Sequence, residues 1–138
     1  MNDIDTVVER FREAGMKITP QRLSIFALLM DNKDHPSAEN IYHQVLEIHP
    51  SISFTTVYKT LQTLRDLGEI NELSVDPERA HYDPDVSEHY HAFCRSCRGI
   101  RDIFPGESSS FSSELPELEG FRVQSVQVAF TGQCEECS

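Results

Sequence analysis

The chain lacks any apolar stretch approaching the length of a membrane span. Its opening residues, MNDIDTVVERFREAG, carry acids and arginines where a secretory signal would need an apolar run. Both absences predict a protein that stays in the cytosol and off the membrane. Positive charge is scarce as well, with 12 lysines and arginines against 23 aspartates and glutamates, a formal net charge of -11. Taken alone, that imbalance argues against a nucleic-acid partner, because an acidic surface is repelled by a phosphate backbone. Internal repeats are missing, which excludes a repeat architecture. Cysteine is limited to four residues, arranged as two pairs. Where thiols are kept reduced, such pairs read as metal ligands rather than disulfides. What remains is a chain of 138 residues, 38% hydrophobic, enough for a modest core in one ordinary domain or two small ones.

Four helices are predicted in the first half. Residues 3 to 14 place Ile4, Val7, Val8 and Phe11 on one side, with Gly15 as the stop. In KITPQRLSIFALLMDN, Thr19 can cap and Pro20 can occupy the first turn, and the spacing puts Leu23, Phe26, Ala27 and Met30 on the packed face. A third helix starts from Ser37, spaces Ile41, Val45 and Ile48, and ends near Pro50. The fourth, SFTTVYKTLQTLRDLG, is capped by Ser53, buries Val57, Leu61 and Leu64, and closes on Gly68. Its other face is a polar stripe of Thr55, Thr56, Lys59, Thr60 and Thr63, and the window 51 to 65 contains no acid. EINELSVDPERAHYD then reads as a hairpin around an Asp-Pro turn. Helices followed directly by a hairpin make the winged form of helix-turn-helix.

After PDVSE the character changes, with strands around YHAFC, GIRDIF and FRVQSVQVAF. The last of these shifts its apolar phase between Val123 and Val126, as a bulge would. GESSSFSSELPELEG, serine-rich at 106 to 113, has room for a short helix. The expected fold class is α+β. A winged helix-turn-helix domain at 1–84 precedes a small α/β domain at 85–138.

The stretch SEHYHAFCRSCRG crowds two histidines against two cysteines. Cys94 and Cys97 form one C-x-x-C, and Cys134 and Cys137 form a second, with 36 residues between the pairs. A C-x-x-C turn brings two sulfurs onto one edge of a zinc tetrahedron, and two such turns complete it. Redox-active dithiols would need a thioredoxin-like βαβ context that is missing. Four sulfurs fill the cage, so the histidines belong elsewhere. His89 and His91, two apart on a strand, share a face and can chelate together. Asp83, Asp102 and His35 are available partners. For each alone, a loop histidine, a turn acid or a solvated strand charge is the plainer explanation. His43, His49 and His81 carry no metal signal.

The pieces ITPQR at 18 to 22, HPSAENIY at 35 to 42, TTVYKTL at 55 to 61, HYHAFCRSC at 89 to 97 and GQCEEC at 132 to 137 occur in an order that resembles the ferric uptake regulator (Fur) family of metal-dependent transcription factors. The likeness spans nearly the whole chain. It implies a DNA-binding winged helix joined to a dimerisation domain, with structural Zn(2+) at Cys94, Cys97, Cys134 and Cys137. It also implies a regulatory metal at His35, Asp83, His89, His91 and Asp102. Within the family the peroxide-sensing (PerR) branch is the nearer likeness, because Asp83 stands where iron sensors usually have glutamate. A further metal site of iron sensors has no counterpart here, where the matching regions offer Tyr90 and VQSVQVAF. Imidazoles with carboxylates suit Fe(2+) or Mn(2+) better than thiolates would. The resemblance implies that peroxide oxidises His35 and His89 on the iron form, while manganese supports DNA binding without sensing.

The expected function is therefore a cytoplasmic, homodimeric, metal-dependent repressor of a palindromic operator in double-stranded DNA, responding to hydrogen peroxide. An iron- or zinc-responsive repressor of the same build is the alternative. A metalloenzyme is disfavoured, since five protein ligands leave little open coordination and no paired nucleophile and base is evident. The acidity of the whole does not reach the expected DNA face: residues 14 to 30 hold Lys17 and Arg22 with no acid. Thr55, Thr56, Tyr58 and Lys59 are expected at the groove and Arg22 on phosphate, with weak nonspecific binding because the cations are few.

Overall fold

The computed structural model describes residues 1–104, 106, 116–124 and 126–138. They form two compact units, Met1–Val86 and Ser87–Ser138. The short helix expected in 106 to 120 and the bulge between Val123 and Val126 both involve positions outside the described residues.

The first unit is a winged helix-turn-helix, and its helices begin where side chains can satisfy orphan amide groups. Asp3 caps α1 (Ile4–Glu13), Thr19 caps α2 (Pro20–Leu29) with Pro20 in the first turn, Ser37 caps α3 (Ala38–Ile48), and Ser53 caps α4 (Phe54–Asp66). Ser37 and Asn40 close a reciprocal capping box. Gly15 and Gly68 follow α1 and α4 at φ +81° and +74°, the left-handed region where a side chain would be strained. Between the helices lies one core, built on Val7, Phe11, Ile25, Phe26, Leu29, Ile41, Val45, Val57, Leu61 and Leu64, all fully buried. Phe11 and Phe26 meet edge to face at 4.8 Å. The hairpin follows at once, with β1 (Asn71–Leu73) antiparallel to β2 (His81–Asp83).

Three details differ from the expected packing. On α2 the buried residues are Ile25, Phe26 and Leu29, whereas Leu23 and Ala27 are exposed and Met30 caps the end half-buried. Apolar residues occupy nearly every position from Leu23 to Met30, so periodicity could not choose the face. Ile48 is exposed because α3 ends there, beyond the reach of the core. Thr60 is buried rather than on the polar stripe, its hydroxyl donating to the Thr56 carbonyl at 2.7 Å. A threonine that satisfies itself on its own helix can pack as a small apolar residue.

Glu69 is buried at 1% exposure between α4 and β1, where its carboxylate accepts from Arg10 Nη1 at 2.5 Å and from Asn2 N and Nδ2 at 2.8 Å. Burial alone would raise its pKa, but the Asn2 and Arg10 hydrogen bonds outweigh burial and hold it below the usual glutamate value. A carboxylate with a depressed folded pKa contributes stability that is present above the unfolded pKa and is lost as pH falls through the folded one. Arg10→Ala strands a buried charge and is expected to destabilise the fold by about 2 kcal/mol in urea denaturation. The deficit should shrink on acidification, once Glu69 is protonated in the variant.

The second unit carries a three-stranded sheet in the order β4-β3-β5. The central strand β3 (Tyr90–Cys94) pairs antiparallel with β4 (Ile100–Ile103) and parallel with β5 (Ala129–Gly132). The last strand overlaps only the end of FRVQSVQVAF and runs on to Gly132, because its ladder with β3 pairs His91 to Cys94 with Ala129 to Gly132. Phe121 instead makes an isolated bridge with Leu118.

Candidate metal centres and DNA face

The β3–β4 connection is a tight knuckle. Arg98 N–H donates to the Cys94 carbonyl at 2.8 Å and Cys94 N–H to the Gly99 carbonyl at 3.0 Å, with Arg98 itself at φ +64°. A second turn after β5 is closed by Cys137 N–H donating to the Cys134 carbonyl at 3.1 Å. Arg95 N–H bonds the Gly132 carbonyl at 2.9 Å and draws the two turns together. All four sulfurs lie within 4.8 Å of one another, and Cys97 Sγ is 3.8 Å from Cys134 Sγ. A tetrahedron with zinc–sulfur bonds of about 2.3 Å has edges of about 3.8 Å. The four are thiols rather than disulfides.

Electrostatics favour a cation in this cage. Amide groups of Cys97 and Cys134 point at Cys94 Sγ, at 3.5 and 3.4 Å, and bring that thiol down to about 6. The Cys134 and Cys94 sulfurs push Cys137 up to about 12, so four thiolates do not coexist without a compensating charge. The cluster fits a structural zinc site.

The histidine and carboxylate residues fall into two groups, one in each unit. In the first unit, His35 precedes α3 and Asp83 ends β2, with His35 Nε2 3.6 Å from Asp83 Oδ2 and both side chains buried. The second unit holds His91 on β3 directly opposite Asp102 on β4, so the register of the sheet sets that pair. His89 stands just before β3 rather than within it. Its Nε2 lies 3.2 Å from Asp102 Oδ1, to which His91 Nε2 approaches at 3.5 Å. The two imidazoles meet edge to face at 4.6 Å, and His89 is steadied by a stack on Phe104 at 5.3 Å and by its Nδ1 against the Ser87 carbonyl at 2.8 Å. Each group joins imidazole nitrogen, one ring in the first and two in the second, to a carboxylate, a set that fits a divalent ion of intermediate hardness such as iron or manganese.

Along α4, Thr55, Tyr58 and Lys59 are exposed and Thr56 is half-buried, its hydroxyl 3.0 Å from the Ser53 hydroxyl. Tyr58 stacks on exposed Phe54 at 6.3 Å, and Phe54 meets Tyr42 edge to face at 5.6 Å, so these aromatics stiffen the start of the helix. Arg22 is half-buried, with Nη1 donating to the Lys17 carbonyl. His81, expected to carry no metal role, lies two residues before Asp83 on β2 and shares its face of the strand.

Comparison with known proteins agrees with this architecture. Residues 13–131 match the Ferric uptake regulator family. The chain is similar to the peroxide operon regulator of Bacillus subtilis, at 33% identity over 99% of this chain and 94% of that protein. It is also similar to the peroxide-responsive repressor PerR of Staphylococcus aureus, at 29% over 99% and 92%. Among solved structures, the Campylobacter jejuni peroxide stress regulator aligns with a TM-score of 0.70 at 28% identity, covering 99% of this chain and 100% of that one. The Helicobacter pylori ferric uptake regulator, at 0.76 and 22% over 99% and 94%, shares the fold. The chain belongs to the Ferric uptake regulator family, whose members are metal-responsive, DNA-binding, dimeric transcription regulators rather than enzymes.

Proposed function

We propose that the protein is a cytoplasmic repressor that grips a palindromic operator as a homodimer when a divalent metal is bound, and lets go when hydrogen peroxide oxidises its own ligands. One observation carries this reading: the histidines and carboxylates are divided between the units, His35 and Asp83 in one, His89, His91 and Asp102 in the other. A single ion held by both sets would fix the angle between a DNA-reading unit and a dimerising unit. Two recognition helices must reach major grooves about 34 Å apart, so that angle governs both contacts together. A preference of a few kcal/mol for the closed posture is enough to shift its population substantially.

In this reading Cys94, Cys97, Cys134 and Cys137 hold structural zinc. Thr55, Thr56, Tyr58 and Lys59 face the groove, and Arg22 lies toward phosphate. Among the described residues, Leu118, Phe121, Val126 and Phe130 leave apolar surface exposed on the second unit, and β5 is a sheet edge; a second copy would cover both. Bound Fe(2+) supplies the one-electron chemistry that activates peroxide. In this reading His35 and His89 would take up oxygen, and an oxygenated imidazole is a poorer donor, so the two units would lose their common anchor. The likeness to peroxide-responsive relatives favours this over an iron- or zinc-responsive repressor.

The deciding experiment loads the protein with Fe(2+), adds micromolar peroxide and measures peptide masses and DNA binding. One added oxygen on the His35 or His89 peptide, with loss of DNA binding, is the expected result. Unmodified peptides with intact metal-dependent DNA binding would transfer the protein to the iron- or zinc-responsive class.

A further inference from the structure

His81 is a buried histidine that the proposed metal set does not use. Its Nδ1 lies 2.6 Å from the backbone carbonyl of His35, 46 residues away, and its Nε2 lies 2.9 Å from Asp76 Oδ2. The side chains are 11% and 2% exposed. Both nitrogens lie against oxygen atoms, so the ring is held at two ends. Asp76 is fixed in turn, its other oxygen accepting from Glu78 N–H at 2.9 Å within the β1–β2 connection.

What this ring holds is an unusual piece of backbone. His35 sits at φ +50°, a conformation rarely adopted by a residue with a side chain, and one that persists only where the surroundings impose it. The surroundings are β2: Tyr82 N–H donates to the Pro36 carbonyl at 2.9 Å, and Ser37 bridges His81 in antiparallel register. The same strand ends in Asp83, whose carboxylate lies 3.6 Å from His35 Nε2. One strand therefore carries one candidate ligand and, through His81, dictates the posture of the other.

We propose that His81, anchored by Asp76, is a positioning residue for the divalent-metal site, setting the His35 backbone so that its imidazole and the Asp83 carboxylate converge. The inference rests on the reading of His35 as a metal ligand. Groups that orient a ligand commonly change metal affinity by about 10- to 100-fold when removed.

The test is calorimetric titration of Mn(2+) into the zinc-loaded full chain at fixed pH, with zinc content and thermal unfolding measured on every variant. His81→Ala should weaken Mn(2+) binding by about tenfold, with zinc content unchanged, and Asp76→Asn should weaken it less. In a His35→Ala background, His81→Ala should add less than about twofold, because a residue acting through His35 has nothing left to position. Should His81→Ala fail to fold, His81→Gln, which keeps volume and one donor, is expected to fold and still to weaken Mn(2+) binding. The proposal is overturned if His81→Gln and Asp76→Asn both bind Mn(2+) like the parent, or if His81→Ala weakens binding equally with and without His35. A His35→Ala variant that binds Mn(2+) normally would instead remove the reading beneath it.

Discussion

Cys137→Ser is expected to release the zinc and, with it, the folded state of residues 87–138. Serine leaves three sulfurs and a hydroxyl that zinc holds poorly, in a cage whose other sulfurs are already within 4.8 Å of one another. The sheet has little else to rely on. Among the described residues its buried apolar ones are Tyr90, Phe93 and Cys94, and every residue of β5 is exposed. Structural zinc commonly contributes on the order of 10 kcal/mol to folding, more than so few buried side chains supply. The measurement is zinc per chain together with limited proteolysis. About one zinc per chain in the parent and almost none in the variant, with cleavage concentrated after Val86, is the expected pattern. The helical circular dichroism should largely survive, because the core from Val7 to Tyr82 lies within the first unit. A variant that keeps its zinc would show that Cys137 is dispensable to the cage.

The features that were readable in advance are the ones governed by nearby residues. Thr19 and Ser53 cap helices, and Ser37 starts one, because a short polar side chain reaches an amide three positions on, and that information is local. The cysteine cage was equally plain, since a C-x-x-C turn needs only its own geometry. Where distant contacts decide, the sequence was silent or misleading. Whether Leu23 or Ile25 of α2 is buried depends on how α1, α3 and α4 approach, and the apolar run from Leu23 to Met30 fits more than one answer. The end of β5 is set by the length of β3, and Thr60 is admitted to the core by a bond to its own helix. His81 acquires its place from a carbonyl 46 residues earlier. No spacing rule within the chain could have paired them.

Asp102→Ala is expected to abolish metal-dependent DNA binding while leaving zinc in place. One oxygen of Asp102 stands 3.2 Å from His89 and 3.5 Å from His91, so its carboxylate is the common neighbour of both imidazoles and the only acid in that group of three. Alanine leaves only the two imidazoles in the second unit, and Asp83 as the one remaining carboxylate of the proposed set to balance a dication. The position opposite His91 in the β3–β4 register does not move, so the sheet and the cysteine knuckle beyond it should hold. Divalent ions such as Mn(2+) depend strongly on anionic oxygen, and a loss of at least about 100-fold in Mn(2+) affinity, or about 2.7 kcal/mol, is expected. At Mn(2+) concentrations that saturate the parent, the variant should behave in a gel shift as the parent does with a chelator. Asp102→Asn separates charge from shape: it fills the same space, and if the carboxylate acts as an anionic ligand it should bind Mn(2+) nearly as poorly as alanine. Parent-like affinity in both variants would place the regulatory ion elsewhere and break the proposed link between the two units.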